Sequence, residues 1–289
     1  MKYNITMFAY NESENIQASI ESVWQNTDTG LGTFHLVANG CTDDTVTKAH
    51  EIKSLLSFDK LSITELTIGD KCNAWNHYMH ELADGADIHF FVDADVLFSA
   101  CCFQKMASKL YSTSPETVAI AGLPLSGRNQ VFYESLVTER SCLFGNLYGL
   151  KGTFIKHIKQ SEFRLPQGLN WIDSFITKAV NTNLDFKPRN LPNRVTHLPG
   201  AGYNFVSLSP LKVSDLILYK NRIARYELGK MQEFYLDAIP VSKWPNDLDE
   251  INLKIFNNFS THSDSIPIYK KIVVKQRLKK LIKEASHNE

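Results

Sequence analysis

Four short apolar runs, at residues 3–8, 34–38, 61–66 and 88–92, recur roughly thirty residues apart, with helical periodicity between them. Runs this short, alternating with helical intervals, read as the β-strands of βαβ units in a mainly parallel sheet, and the run at 88–92 is strongly apolar. Parallel neighbours need a crossover of about a dozen residues or more, and the intervals here are long enough for a helix each. In the first interval Asn11 and Glu14 have the spacing of a capping box, and Ile16, Ile20, Val23 and Trp24 share one helical face. Residues 45–57 place Val46, Ala49, Ile52 and Leu56 inward, and residues 72–82 do the same with Trp75, Tyr78, Met79 and Leu82. The expected class is α/β: a Rossmann-like domain whose central mixed, mainly parallel sheet is flanked by helices.

A fifth strand at 118–123 precedes a change of rhythm. An aromatic-rich region follows, with Tyr133, Phe144, Tyr148 and Phe154, then a helix over 171–180 and extended pieces punctuated by Pro188, Pro192 and Pro199. Helical patterns then cover 211–235 and 267–285. The expected organisation is one domain over 1–205, in halves 1–100 and 101–205, with a helical C-terminal extension over 206–289 packed on or beside it. In the tail, Lys270, Lys271, Lys275, Arg277, Lys279, Lys280 and Lys283 interleave with Ile268, Ile272, Leu278, Leu281 and Ile282. Such a helix either lies on an anionic membrane or packs its apolar stripe on the protein.

Charge narrows the partners. Thirty-one basic and thirty-one acidic residues cancel, so no global field draws the chain to nucleic acid. The five cysteines form no Cys-x-x-Cys pair and read as reduced thiols of a cytoplasmic protein. The start lacks the zones of a signal peptide and no run is long enough for a membrane helix. The expected location is the cytoplasm, with peripheral contact at the membrane inner face through 267–285.

Ligands of open parallel sheets bind outside the carboxyl ends of the strands, and polar groups follow all four of the first strands. Ala9-Tyr10-Asn11-Glu12 follows the first, Asn39-Gly40-Cys41-Thr42-Asp43-Asp44-Thr45 the second, Asp70-Lys71 the third, and Asp93-Ala94-Asp95 the fourth. Two carboxylates one residue apart after a buried strand offer hard oxygens to Mg²⁺ or Mn²⁺. Their other reading is a turn that caps the next helix.

These four segments, in this order, resemble family 2 glycosyltransferases of the GT-A fold, and the resemblance spans roughly residues 3–200. It implies transfer of a hexosyl or N-acetylhexosaminyl group from a nucleotide-diphosphate sugar to an acceptor hydroxyl, with inversion and with Mn²⁺ or Mg²⁺. On it, 1–100 is the nucleotide-binding half and 101–205 the acceptor half. Ala9, Tyr10 and Glu12 would line the base and ribose. Asn39 stands where the family more often has an aspartate that meets uracil, and its amide can still read a base edge, so a UDP-sugar is favoured. Lys71 resembles the basic residue of a Lys-x-x-Ala-x-Asn pattern.

Asp93 and Ala94 would meet the sugar nucleotide, and Asp95 with Asp93 would hold the metal. His197 is a candidate extra ligand. Leu169-Asn170-Trp171-Ile172-Asp173 resembles the segment that ends in the catalytic aspartate, which makes Asp173 the expected general base beside a saccharide, lipid-linked, small-molecule or peptide acceptor. Arg222 and Arg225 loosely resemble a diphosphate-contacting motif of polymerising members. Two alternatives stand beside this: a non-catalytic sugar-nucleotide-binding protein, and a nucleotidyltransferase. The latter calls for a glycine-rich basic loop that Ala9-Tyr10-Asn11-Glu12 does not supply.

Overall fold

The structure is a computed structural model that describes residues 1–205, 209 and 211–285. The central strand β1 (Tyr3–Ala9) is buried along its whole length. It pairs in parallel with β2 (Leu31–Asn39) on one side and β4 (Ile88–Asp93) on the other, and β2 pairs in parallel with β3 (Leu61–Leu66). The remaining strands are β5 (Val96–Phe98), β6 (Ala119–Pro124), β7 (Leu147–Lys151) and β8 (Val195–Phe205). The sheet order is β3-β2-β1-β4-β7-β6-β8-β5. β7 runs antiparallel to both β4 and β6, β8 is parallel to β6, and β5 is antiparallel to β8. Chain order reverses between β1 and β4, which puts the switch point at the ends of these two strands.

Alternation along the strands sorts the two faces. Ile5, Met7, Phe34, Leu36, Phe90 and Val92 join α1 (Ile16–Gln25) and α4 (Cys102–Tyr111) in one core through Ile16, Ile20, Val23, Phe103 and Met106. The opposite face carries Thr6, His35 and His89 and is covered by α3 (Lys71–His77) and the π-helical turn Tyr78–Leu82. There Tyr78 Oη lies 2.7 Å from His89 Nδ1, and Trp75 Nε1 donates to Tyr148 Oη at 3.1 Å. The helix read over 72–82 is thus two pieces, and Ala83 N closes the wider turn on the Tyr78 carbonyl at 2.7 Å.

The capping box is a second departure. Asn11 takes a left-handed φ of 55° and does not cap α1, which starts five residues later. Its side-chain oxygen is spent on the next loop, where it accepts from Thr42 N at 2.8 Å.

The chain divides into two compact units, Met1–Phe163 with Asp173–Val206, and Arg164–Ile172 with Ser207–Glu289. The expected boundary at 205/206 abuts residues 206–208, which lie outside the described residues. The second unit holds α8 (Val213–Asp237), α9 (Asp249–Asn257), α10 (Phe259–Ser263) and α11 (Ile268–Ala285). Gln232 is fully buried at its centre, where it donates to Gly168 O at 3.1 Å and Asn252 Oδ1 at 2.9 Å and accepts from Asn170 N at 2.9 Å. These bonds tie the 164–172 segment to the helices. The tail helix α11 packs on α8 and α9 and buries Val274 and Leu278, so the centre of its apolar stripe is covered by protein. Among the described residues no helix is long and apolar enough to cross a membrane, and all five cysteines are free.

Candidate functional site

The ends of β1, β2 and β4 converge, and the loops that follow them are bound to one another. Glu12 N donates to Thr45 Oγ1 at 2.8 Å, Ser13 N to Asp43 Oδ2 at 3.1 Å, and Lys48 Nζ to Ser13 O at 2.8 Å. Desolvation pushes the Asp43 carboxyl up, but the bonds from Thr45 and Ser13 outweigh it and hold the pKa at about 2. Thr42, Asp43 and Thr45 therefore act as a clamp that sets the position of Tyr10 and Glu12. Gly40, at φ +70°, lies so close to the next loop that a Cβ would fall 2.5 Å from Gly69 N. Tyr10, 54% exposed, covers this contact, with Cε2 2.9 Å from the Cβ position of Gly69. Ala9 and Asn39 are buried beneath it.

Beside this platform lies Asp93-Ala94-Asp95. Ser19 Oγ of α1 donates to Ala94 O at 2.8 Å and Val96 O at 3.0 Å, which fixes the turn between β4 and β5. Ala94 is buried, Asp93 half-buried and Asp95 exposed. Lys71, the first residue of α3, forms an ion pair with Asp93. A lysine is unfavourable at a helix N-terminus because the dipole there is positive. Asp70 caps that end by accepting from Asn73 N at 2.7 Å, and the carboxylates hold the cation. Desolvation pulls the Lys71 pKa down, yet Asp93, Asp173 and Asp95 hold it above its ordinary value.

Asp173 arrives from the other half of this unit. The face of α7 (Ile172–Asn181) with Asp173, Thr177 and Asn181 at four-residue spacing runs along residues 141–145. Asn181 Nδ2 donates to Ser141 O at 3.2 Å, and Leu143 N donates to Thr177 Oγ1 at 2.9 Å. At the end of this row stands Gly145. A Cβ there would lie 2.7 Å from Lys71 Nζ, 3.1 Å from Asp173 Oδ1 and 3.1 Å from Asp93 Oδ2. Three charged groups from three elements thus surround one position that a side chain would fill.

Gly145 carries no signal in the sequence. Its place follows from register: Val92 of β4 pairs with Leu147 of the antiparallel β7, so the residues just before Leu147 pass the residues just after Val92. Tyr148 and Tyr203, both buried, complete the floor, and burial first, then Asp173 and Asp93, push both phenols upward.

The carboxylates around Asp95 crowd one another. Burial, then Asp95, Asp93 and Asp43, raise the Glu12 pKa to about 7 against the pull of its bond from Asn15. A group of neighbouring carboxylates with mutual repulsion is a chemical fit for a divalent cation. Among the described residues no three His, Cys, Asp or Glu side chains form a ready metal cage. Mg²⁺- or Mn²⁺-type binding needs one or two carboxylates that share the ion with substrate phosphates.

His197 is not part of this arrangement. It pairs with Ala121 of β6, whereas the residue of β8 that reaches Val96, next to Asp95, is Phe205. Tyr203 pairs with Pro124, so about five strand steps of roughly 3.3 Å separate His197 from Phe205 along the sheet. Arg222 and Arg225 lie exposed on α8, in the second compact unit.

The sequence model described as "Glycosyl transferase family 2" matches residues 5–163. Among solved structures, the mannosyltransferase PcManGT from Pyrobaculum calidifontis, in complex with GDP-Man and Mn²⁺, is similar at TM-score 0.62 and 16% identity. The match covers 100% of this chain and 76% of that one. Glucosyl-3-phosphoglycerate synthase from Mycobacterium tuberculosis, in complex with Mn²⁺, UDP and glucosyl-3-phosphoglycerate, is similar at TM-score 0.52 and 14% identity, covering 79% of each chain. No curated protein matches in sequence. At these identities the likeness carries the fold, which is of the GT-A type.

Proposed function

The chain belongs to glycosyl transferase family 2, and on that footing we propose that it transfers a hexosyl or N-acetylhexosaminyl group, with inversion, from a nucleotide-diphosphate sugar to an acceptor hydroxyl. The observation that carries the reading is the convergence of Lys71, Asp93 and Asp173 on the space beside Gly145. A sugar whose anomeric carbon is under attack needs a carboxylate on the acceptor side and charge control on the diphosphate side, and the site offers both.

In the reaction the acceptor oxygen forms its bond to the anomeric carbon as the bond from that carbon to the diphosphate oxygen breaks. Asp173 accepts the hydroxyl proton during attack. It lies in the first turn of α7, where the positive end of the helix dipole meets a carboxylate favourably. Lys71 stays protonated between Asp93 and Asp173 and keeps the two carboxylates at fixed positions. Asp95 with Asp93 would hold Mn²⁺ or Mg²⁺, which would supply positive charge to offset that of the departing diphosphate. Mn²⁺ accompanies the nucleotide in both structural relatives, which supports this ion. Tyr10, Ala9, Glu12 and Asn39 form the base and ribose platform. The relatives carry GDP-Man in one case and UDP in the other, and the buried amide of Asn39 together with the compact Tyr10–Gly69 contact favours the pyrimidine.

Two variants test the assignment. Asp173→Asn keeps UDP affinity by calorimetry and loses transfer by about 10²- to 10⁴-fold, because an amide of the same shape cannot take a proton. Asp95→Asn instead weakens metal-dependent UDP binding. Transfer by Asp173→Asn above about a tenth of wild type assigns the base elsewhere.

A further inference from the structure

We propose that the first half of α8 is a lipid-inserting element that docks this protein on an anionic membrane surface. Every residue from 216 to 222 is exposed, a stretch of two helical turns. Leu216, Ile217, Leu218 and Tyr219 are consecutive there, at 49%, 55%, 53% and 57% exposure, and Leu211 and Val213 before them stand at 92% and 73%. Consecutive helical residues turn by about 100°, so these four point around most of the circumference. A partner helix or groove takes up one stripe, read at i, i+3, i+4 and i+7. One helical turn, 216–219, that is apolar around its circumference is suited to a surrounding that encloses it, and a lipid leaflet does so.

The order of residues along the axis matches the layers of such a leaflet. The aliphatic positions come first, then Tyr219, then Lys220, Arg222 and Arg225. Tyrosine favours the level of the headgroups, and the cations that follow reach anionic lipid. From Val213 to Tyr219 the helix rises about 9 Å, within the roughly 5–10 Å depth to which interfacial helices insert. Between 211 and 225 the single carboxylate is Asp215, and it is engaged, accepting from Ser209 N at 2.7 Å. Lys212 near the tip has a stem long enough to bring its ammonium back to the headgroups.

This assignment moves the membrane contact from α11, whose Val274 and Leu278 are buried in the protein, to α8. It also gives Arg222 and Arg225 a role apart from the sugar nucleotide.

The test uses the full chain with vesicles of mixed phosphatidylserine and phosphatidylcholine, against phosphatidylcholine alone. Wild type floats with the anionic vesicles and is released by salt. Ile217→Glu/Leu218→Glu lowers partitioning at least about tenfold, because each carboxylate opposes insertion. Its urea midpoint stays at the wild-type value, as expected for exposed positions. Leu55→Glu, at a position of 79% exposure on α2 (Thr45–Leu55), leaves partitioning unchanged. Tyr219→Trp shows a blue-shifted emission only with anionic vesicles. Absence of wild-type flotation, or full flotation of the double variant, overturns the proposal. So does a dimer in light scattering that the double variant dissociates, since a second copy would then be the occupant of this helix.

Discussion

Replacing Gly145 with alanine isolates the functional meaning of an empty volume. The added methyl would stand 2.7 Å from Lys71 Nζ, about 0.8 Å inside an ordinary contact of roughly 3.5 Å. The backbone of Gly145 does not take a positive φ, so alanine meets no conformational penalty there. The yielding group is the far end of a flexible lysine, and alanine also stiffens the unfolded chain, worth about 0.4–1 kcal/mol in favour of folding. Stability is therefore expected to stay within about 1 kcal/mol of wild type.

Activity has no such tolerance. Lys71 must shift by most of an ångström, and with it the spacing of Asp93 and Asp173. A displacement of about 1 Å among positioned groups can cost on the order of 10² in rate.

Gly202 supplies the contrast. A Cβ there would lie 1.8 Å from Leu123 O, a strand carbonyl that cannot swing aside, so Gly202→Ala is expected to lose at least the roughly 1–3 kcal/mol of ordinary overpacking. Urea denaturation and product formation, measured on both variants, separate the cases. Wild-type transfer by Gly145→Ala refutes the idea that the reacting groups occupy that space. A stability loss as large as that of Gly202→Ala shows the glycine to be structural.

Two further outcomes are expected. Burial lowers the pKa of His89 from 6.5 to about 4, so the unfolded chain binds the extra proton between these values and stability falls as pH drops through that window. Between pH 7.5 and 5 this amounts to about 2 kcal/mol, and His89→Gln should lose that part of the pH slope in urea melts; an unchanged slope refutes the assignment. Calorimetry should find UDP bound more tightly than GDP and only with Mn²⁺ or Mg²⁺; equal affinity in chelator removes the metal from the site, and a GDP preference reverses the base reading.

Much of the architecture is legible in the sequence because it is written in local terms. The runs at 3–8, 61–66 and 88–92 lie within a residue of β1, β3 and β4, since apolar β-type segments between helical intervals have few other places to go. The polar groups at strand ends are legible for the same reason: in a parallel sheet the carboxyl ends share one edge, so Tyr10, Asn39, Lys71 and Asp93 are neighbours once the strands are ordered. Asn11 shows where this stops. Its spacing to Glu14 satisfies a local capping rule, but Thr42 N from the next loop competes for the same side chain and holds it.

By itself, then, the sequence determined the strand–helix alternation, the edge of the sheet that carries polar groups, and the residue types available there. The tertiary structure decided which of those groups meet. Gly145 joins Lys71, Asp93 and Asp173 only because an antiparallel register sets Leu147 against Val92, and because Thr177 latches α7 to Leu143. His197 stands opposite Ala121 because the register along β6 and β8 carries Phe205, and not the histidine, to the strand after Asp95. Register is a property of two strands at once. Periodicity along one chain records which face a side chain takes, and carries nothing about which residue of a distant strand will stand opposite it.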